Sequence, residues 1–227
     1  MMLRIAYIIS VISILLFISC TPNLVVSGKK VYTDFPQEQE LKARTIRLDT
    51  ALFRYPSRLH IRDGKAVVLD LHGTDYFFHT FSYPDFRYLS SFGRRGDAPQ
   101  DMLSAENFRW NGQFLWTLDS NKSELTRFGF ASSSDSLLSL EVVSLDEELL
   151  RALDFVQYDD STFIIPDYSG DSRFCLVSRQ GKLLRKVGNI PTTNEDALES
   201  ARPALAQAWR SFIDYNPHNG ILVAATQ

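Results

Sequence analysis

Two cysteines in 227 residues are too few for a disulfide framework. Cys20 closes an N-terminal apolar run and Cys175 lies between Phe174 and Leu176 in an alternating strand-like stretch, where a small buried hydrophobe is the expected role. Charge of one sign is also scarce. Lys and Arg number 24 against 27 Asp and Glu, a net −3. That balance excludes a basic field for nucleic acid. No apolar run reaches the ~18 residues that a membrane-spanning helix needs. No serine sits in a nucleophile elbow and no glycine loop has phosphate-cradling spacing. With no cofactor motif, the expectation is that no cofactor and no metal is needed.

What is present begins at the N-terminus. Residues 5–18 are almost all apolar behind the single charge of Arg4, and Ser19-Cys20 closes the segment. At ~1.5 Å per residue the run covers about 21 Å, short of the ~30 Å hydrocarbon core. It resembles the signal peptide of a bacterial lipoprotein, cut before Cys20 so that this residue carries lipid. The competing reading is an ordinary signal peptide with Cys20 there by chance. Lipidation fixes the first partner as the membrane, held through several acyl chains at ~0.8 kcal/mol per CH₂. The expected organisation is a signal peptide over 1–19, a polar tether over 20–43 and a β domain over 44–227. Pro22, Pro36 and Gln37-Glu38-Gln39-Glu40 mark the tether.

From residue 44 the texture is all-β. Short apolar runs alternate with Asp-Gly, Asn-Gly, Asp-Asp and Ser-Gly breaks, which are hairpin signals. Three second strands close on an aspartate, at Asp70, Asp119 and Asp167, 49 and 48 residues apart. Phe92-Gly93 and Val187-Gly188 end comparable strands about two periods apart. A period near 48 filled by four strands predicts β-propeller blades, against a plain sandwich with accidental spacing. The predicted strands are 57–62, 65–71, 75–82 and 86–92; 105–110, 113–119, 123–130 and 137–144; 152–158, 161–167, 172–178 and 182–187. A fourth unit starts at Ser211 and continues as Ile221 to Thr226. Helical spacing predicts a helix over 195–208, capped by Thr193 or Asn194 and kinked or divided by Pro203. Three and a half units, ending in an apolar strand, lead to the expectation of a truncated ring. A four-bladed ring closed by a strand near 44–48 is the alternative.

The repeat, the leader and Phe92-Gly93-Arg94-Arg95-Gly96-Asp97-Ala98-Pro99-Gln100-Asp101-Met102 together resemble the TolB-like six-bladed propeller lipoproteins of Bacteroides-type bacteria. That family carries Gly-Arg-Arg-Gly-x-Gly-Pro-x-Glu-Phe after its first complete blade. Here Ala98 stands at its last glycine, Asp101 at the glutamate and Met102 at the phenylalanine. The resemblance implies a fold rather than a reaction. It also implies an outer-membrane location. The absence of an acidic cluster after Cys20 favours the periplasmic side.

The binding candidates are Arg94, Arg95, Asp70, Asp119 and Asp167. Arg94 and Arg95 read either as an anion grip or as a lock between neighbouring blades, the latter preferred. The three aspartates read as turn-capping groups before they read as a cation-binding ring. His60, His72 and His79 are close in sequence, with nothing that fixes their convergence, and His218 falls in a turn. Tyr76, Tyr83 and Tyr88 suit a sugar or peptide rim but fit a core equally. The expected function is a lipid-anchored binding or scaffolding protein for an unidentified protein, peptide or glycan partner. A propeller lyase or glycan-active enzyme and a non-functional remnant are the alternatives.

Overall fold

The structure, a computed structural model, describes residues 37–48, 53–132, 134–192, 196 and 200–226. The leader, Cys20, Thr193 and Asn194 lie outside them. The chain divides into two units, Met1–Thr45 and Ile46–Gln227. In the first, residues 37–45 are exposed and carry no helix or strand.

The second unit is built of antiparallel meanders. The first sheet holds β1 (Pro56–Arg62), β2 (Lys65–Asp70), β3 (Tyr76–Ser82) and β4 (Tyr88–Arg94), paired in chain order. The second holds β5 (Ala105–Asn111), β6 (Phe114–Asp119), β7 (Glu124–Phe130) and β8 (Leu137–Ser144). The third holds β9 (Val156–Asp159), β10 (Thr162–Pro166), β11 (Phe174–Ser178) and β12 (Leu183–Val187). A short helix α1 (Arg202–Ala208) precedes the two-stranded hairpin β13 (Ser211–Asn216) and β14 (Ile221–Thr226). These are three four-stranded propeller blades and half of a fourth, and the ring is not closed.

Local chemistry sets these boundaries. Asp63 and Gly64 both take positive φ, 47° and 70°, as a two-residue hairpin turn requires. Each second strand, Ala66-Val67-Val68-Leu69 in β2, Leu115-Trp116-Thr117-Leu118 in β6 and Phe163-Ile164-Ile165 in β10, is buried at every position. A strand covered on both faces reads as a continuous apolar run, which is why those segments stand out in the sequence. The helical segment is divided as expected: residues 196 and 200 are helical, Ala201 is not, and α1 begins anew at Arg202 with Pro203 in its first turn, where the missing N–H costs nothing. The third blade begins later than predicted, at Val156 rather than 152.

Each junction between successive sheets has its own core. Val67, Leu69, Phe78 and Phe92 of the first sheet meet Phe108, Leu115 and Phe128 of the second. Trp116, Leu118, Leu125 and Val143 then meet Phe155, Phe163, Ile165, Cys175 and Val177. Val156 and Ile164 meet Ile213 of the hairpin, with Tyr215 and Leu222 packed beside them. Edge-to-face rings bridge two of these junctions, Phe78 with Phe108 at 5.6 Å and Trp116 with Phe163 at 5.1 Å. Such pairs add ~0.5–1.5 kcal/mol to the area they bury.

Candidate functional site

The first strand of every sheet ends at a hairpin. The last paired residues are Arg62, Asn111, Asp159 and Asn216, opposite Lys65, Phe114, Thr162 and Ile221. Counting back from each hairpin aligns the strands. One residue earlier stand Ile61, Trp110, Tyr158 and Tyr215; two earlier stand His60, Arg109, Gln157 and Asp214. Three consecutive sheets therefore present the same triplet of polar residue, aromatic ring and Asn or Asp.

Side chains of these strands converge. A cavity of about 250 Å³ opens among Arg109, Trp110, Gln157, Tyr158, Asp214 and Tyr215. A cleft of about 440 Å³ adjoins it, sharing Asn111, Trp116, Gln157 and Asp160 and adding Arg127 and Arg179. The Tyr158 and Tyr215 rings lie 5.2 Å apart, and Trp110 stacks on Phe130 at 6.1 Å. Two polar atoms at this place, Trp110 Nε1 and Gln157 Oε1, are buried and have no hydrogen-bond partner among the described residues.

Arg109 and Asp154 hold the floor. Arg109 donates from Nε to the Phe155 carbonyl at 3.2 Å and from Nη1 to Asp214 Oδ1 at 3.2 Å. Its Nη2 donates to both carboxylate oxygens of Asp154, at 3.0 and 3.3 Å, and to the Ile213 carbonyl. Asp154, fully buried, also accepts from the Phe155 and Ile213 amides at 2.8 Å each and from Asn107 Nδ2. One arginine and one carboxylate thus tie the second sheet, the third sheet and the hairpin. The Asp154 carboxylate takes the amide of Phe155, just ahead of β9, which explains the late start of that strand. His60 and Arg58 share this neighbourhood. Burial first, then the charges of Arg109 and Arg58, hold His60 below its ordinary value, so its imidazole is neutral at pH 7.

The residues singled out in the sequence lie elsewhere. Asp70 accepts the amides of Arg54 at 2.8 Å, Tyr55 at 2.6 Å and His72 at 3.3 Å. Asp119 accepts those of Leu103 at 2.7 Å and of Asn121 and Lys122 at 3.0 Å. Asp167 accepts those of Ser169 at 2.9 Å and Ser172 at 3.1 Å, with Lys186 Nζ at 3.6 Å. Their lone pairs are thus directed at main-chain amides, those of the following turn in all three and, for Asp70 and Asp119, also those of the segment that enters the sheet. Arg94 is two-thirds exposed, with Nε 3.5 Å from Asp101. Arg95 donates to the Gly73 carbonyl at 3.3 Å and covers the Phe77 ring. Arg94 ends β4 and Arg95 opens the loop that leads into the second sheet, a loop held by Lys122, whose Nζ donates to the carbonyls of Ala98 and Asp101 at 2.9 and 2.5 Å.

The histidines take separate neighbours. His60 packs on Phe108, His72 on Tyr55, and His79 Nδ1 bonds Ser91 Oγ at 2.8 Å. His218 stays in an exposed turn. Tyr76, Tyr83 and Tyr88 line neither cavity. Burial pushes the Cys175 thiol up to about 12, so it stays protonated. Among the described residues no group of three His, Cys, Asp or Glu is arranged to hold a metal, and no helix is long and apolar enough to cross a membrane. Sequence reasoning passed over Arg109, Gln157, Asp214 and their aromatic neighbours. The signal was available, because the triplets Arg109-Trp110-Asn111, Gln157-Tyr158-Asp159 and Asp214-Tyr215-Asn216 recur with the repeat. Asp154 had no such signal.

No match was found among curated proteins. Similar solved structures include a Bacteroides fragilis protein whose name proposes export, 13% identical with a TM-score of 0.49, covering 66% of this chain and 41% of that one. A functionally unknown protein of Desulfotomaculum acetoxidans is 14% identical with a TM-score of 0.42, covering 74% and 54%. A further B. fragilis protein, whose name proposes a 6-phosphogluconolactonase, is 12% identical with a TM-score of 0.42, covering 59% and 40%. The chain thus spans about half or less of the length of these neighbours. A family model, TolB-like 6-blade propeller-like, matches residues 34–227. With three four-stranded meanders and a fourth begun, the chain belongs to the TolB-like 6-blade propeller-like family.

Proposed function

We propose that this chain is a lipid-anchored envelope protein that binds a partner at the hairpin end of its first strands and catalyses no reaction. The observation that carries the binding reading is the arc of Trp110, Tyr158 and Tyr215 at equivalent positions around a cavity that holds an unpartnered donor and an unpartnered acceptor. Rigid strands hold these groups, and convergent polar atoms among aromatic rings are the ordinary make-up of a ligand site. Arg109 and Asp154 are consumed by the contacts that fix the floor, so their role is support. The anchor rests on the leader, with Cys20 as lipid acceptor and residues 20–43 as tether. It places the domain in the cell envelope, on the periplasmic side of the outer membrane. The partner is a protein, peptide or glycan, not a nucleic acid.

Two measurements test this reading. Metabolic labelling with a fatty-acid analogue is expected to mark the wild-type chain and leave Cys20→Ser unlabelled, with loss from the membrane pellet. An unlabelled wild-type chain overturns the anchor. Cross-linking from a photoreactive residue at Tyr158 is expected to trap an envelope component that the same residue at Tyr83, on the first sheet, does not. Equal trapping from both positions overturns the cleft as the binding site.

A further inference from the structure

We infer that the aromatic arc takes a neutral saccharide, one or two pyranose rings long. This rests on the cleft being a binding site and names its ligand class.

A pyranose has an apolar C–H face and a rim of hydroxyls that each donate and accept. The cleft answers both. Tyr158 is 44% exposed and its ring lies 5.2 Å from that of Tyr215, tilted 45° to it, so the two make an angled apolar wall on which one ring face can pack. Among the described residues Trp110 Nε1 is a donor without a partner and Gln157 Oε1 an acceptor without one. Gln157 is already fixed from its other end, because Nε2 donates to the Asp159 carbonyl at 3.0 Å. Asp214 Oδ1 receives Arg109, while its Oδ2 accepts from no described residue and the side chain is 81% exposed. A hydroxyl that meets Asp214 donates; Trp110 Nε1 and Gln157 Oε1 are closed to solvent, and their side chains turn into the cleft to meet one, Trp110 as donor and Gln157 as acceptor.

The charges favour a neutral ligand over an anion. Arg58 interacts with Arg109, Asp154 and Asp214, two charges of each sign in all, and Arg127 and Arg179 of the adjoining cleft share Glu141. Asp159 and Asp160 at the rim add negative charge, which repels a uronate or phosphate. The cavity of about 250 Å³ is below the ~300–1,000 Å³ typical for drug-sized ligands, which limits the occupant to a small ring system, and a second ring has room in the adjoining cleft.

Isothermal titration of the full chain in a non-glycosidic detergent, with cellotriose, mannotriose and N-acetylchitotriose as probes, tests the assignment. Saturable binding of at least one is expected. Tyr158→Ala and Tyr215→Ala should each weaken it about tenfold, the stacking contribution converted to affinity, and Tyr158→Phe should leave it within about twofold. Tyr158 is exposed, so its truncation is expected to leave thermal unfolding unchanged. Failure of all three probes on a chain that melts cooperatively overturns the saccharide assignment, as does binding indifferent to Tyr158→Ala. Binding of trilysine in place of sugar, lost in Tyr158→Ala, overturns the ligand class while the cleft stands as a binding site.

Discussion

Asp119 shows what a buried carboxylate does in this chain. It is 2% exposed and accepts three main-chain amides, from Leu103 before the sheet and Asn121 and Lys122 after β6. Asp119→Ala orphans those donors. An unmet buried donor costs about 1–3 kcal/mol, so urea unfolding of the variant should show a loss of at least that size. Glu141 acts at a junction of sheets. Arg179 donates to it from Nη2 at 2.6 Å and Nε at 3.2 Å, and Arg127 Nε lies at 2.9 Å. The bond to Arg179 is the chief cause that holds its carboxyl below the ordinary value. A carboxylate depressed in the folded state stabilises fully above its unfolded value of about 4.3 and loses that contribution as pH falls through the lower folded value. Thermal melts should therefore fall more steeply below about pH 4.3 in the wild type than in Glu141→Gln. Equal slopes would show that the pair contributes nothing. The contrast between Asp119 and Asp154 marks the limit of sequence reading at this scale. Asp119 recurs with Asp70 and Asp167 and takes two of its three amides from its own turn, so that part of its role is visible locally. Asp154 bonds Ile213, 59 residues away, and Asn107, 47 residues away, and no local pattern encodes such partners.

At the level of strands the sequence is informative because hairpins are local. Asp63-Gly64 and Asn111-Gly112 announce their turns, and the doubly buried runs of β2, β6 and β10 announce the middle of each blade. Where long-range contacts decide, the reading slips. Asp154 delays β9. The division of the helical segment is local by contrast, because Pro203 cannot lie in a helix interior but fits the first turn of α1. Gly93, one residue before the end of β4, takes φ 64°, and a Cβ there would lie 2.7 Å from the Phe78 ring and 3.1 Å from Met102. Gly93→Ala should cost more than the ~1–2 kcal/mol of a left-handed alanine alone, because Phe78 stacks on Phe92 and has no room to retreat. Denaturant unfolding checks this; a change within about 0.5 kcal/mol, the range of neutral surface substitutions, would contradict the packing. β14 carries Ile221-Leu222-Val223-Ala224-Ala225-Thr226, uncharged and paired on one side only among the described strands. Such an edge is a template for other strands. Val223, 59% exposed, offers a gatekeeper position, and Val223→Lys should reduce light scattering on concentration without lowering the melting temperature.

The whole molecule is a succession of sheets, each sharing a core with the next, and its first strands bring distant side chains to one place. Periodicity made that succession legible, because the closing aspartates and the glycines at strand ends share one interval. The site was half legible. Its aromatic triplets repeat with the blades, but the reading followed exposed loops and histidines, where chemistry is commonly sought. Arg109 and Asp154 emerged only from the fold, as residues 45 apart that meet when the second and third sheets pack. The convergence of the first strands requires this pair to be coupled. A double-mutant cycle of Arg109→Met and Asp154→Ala, followed by urea unfolding, measures the coupling. We predict an interaction energy above about 2 kcal/mol, with Asp154→Ala alone costing about 3–5 kcal/mol because it strands a buried guanidinium. Losses that add to within about 0.5 kcal/mol would mean that the two groups do not meet, and that the strands do not converge as described.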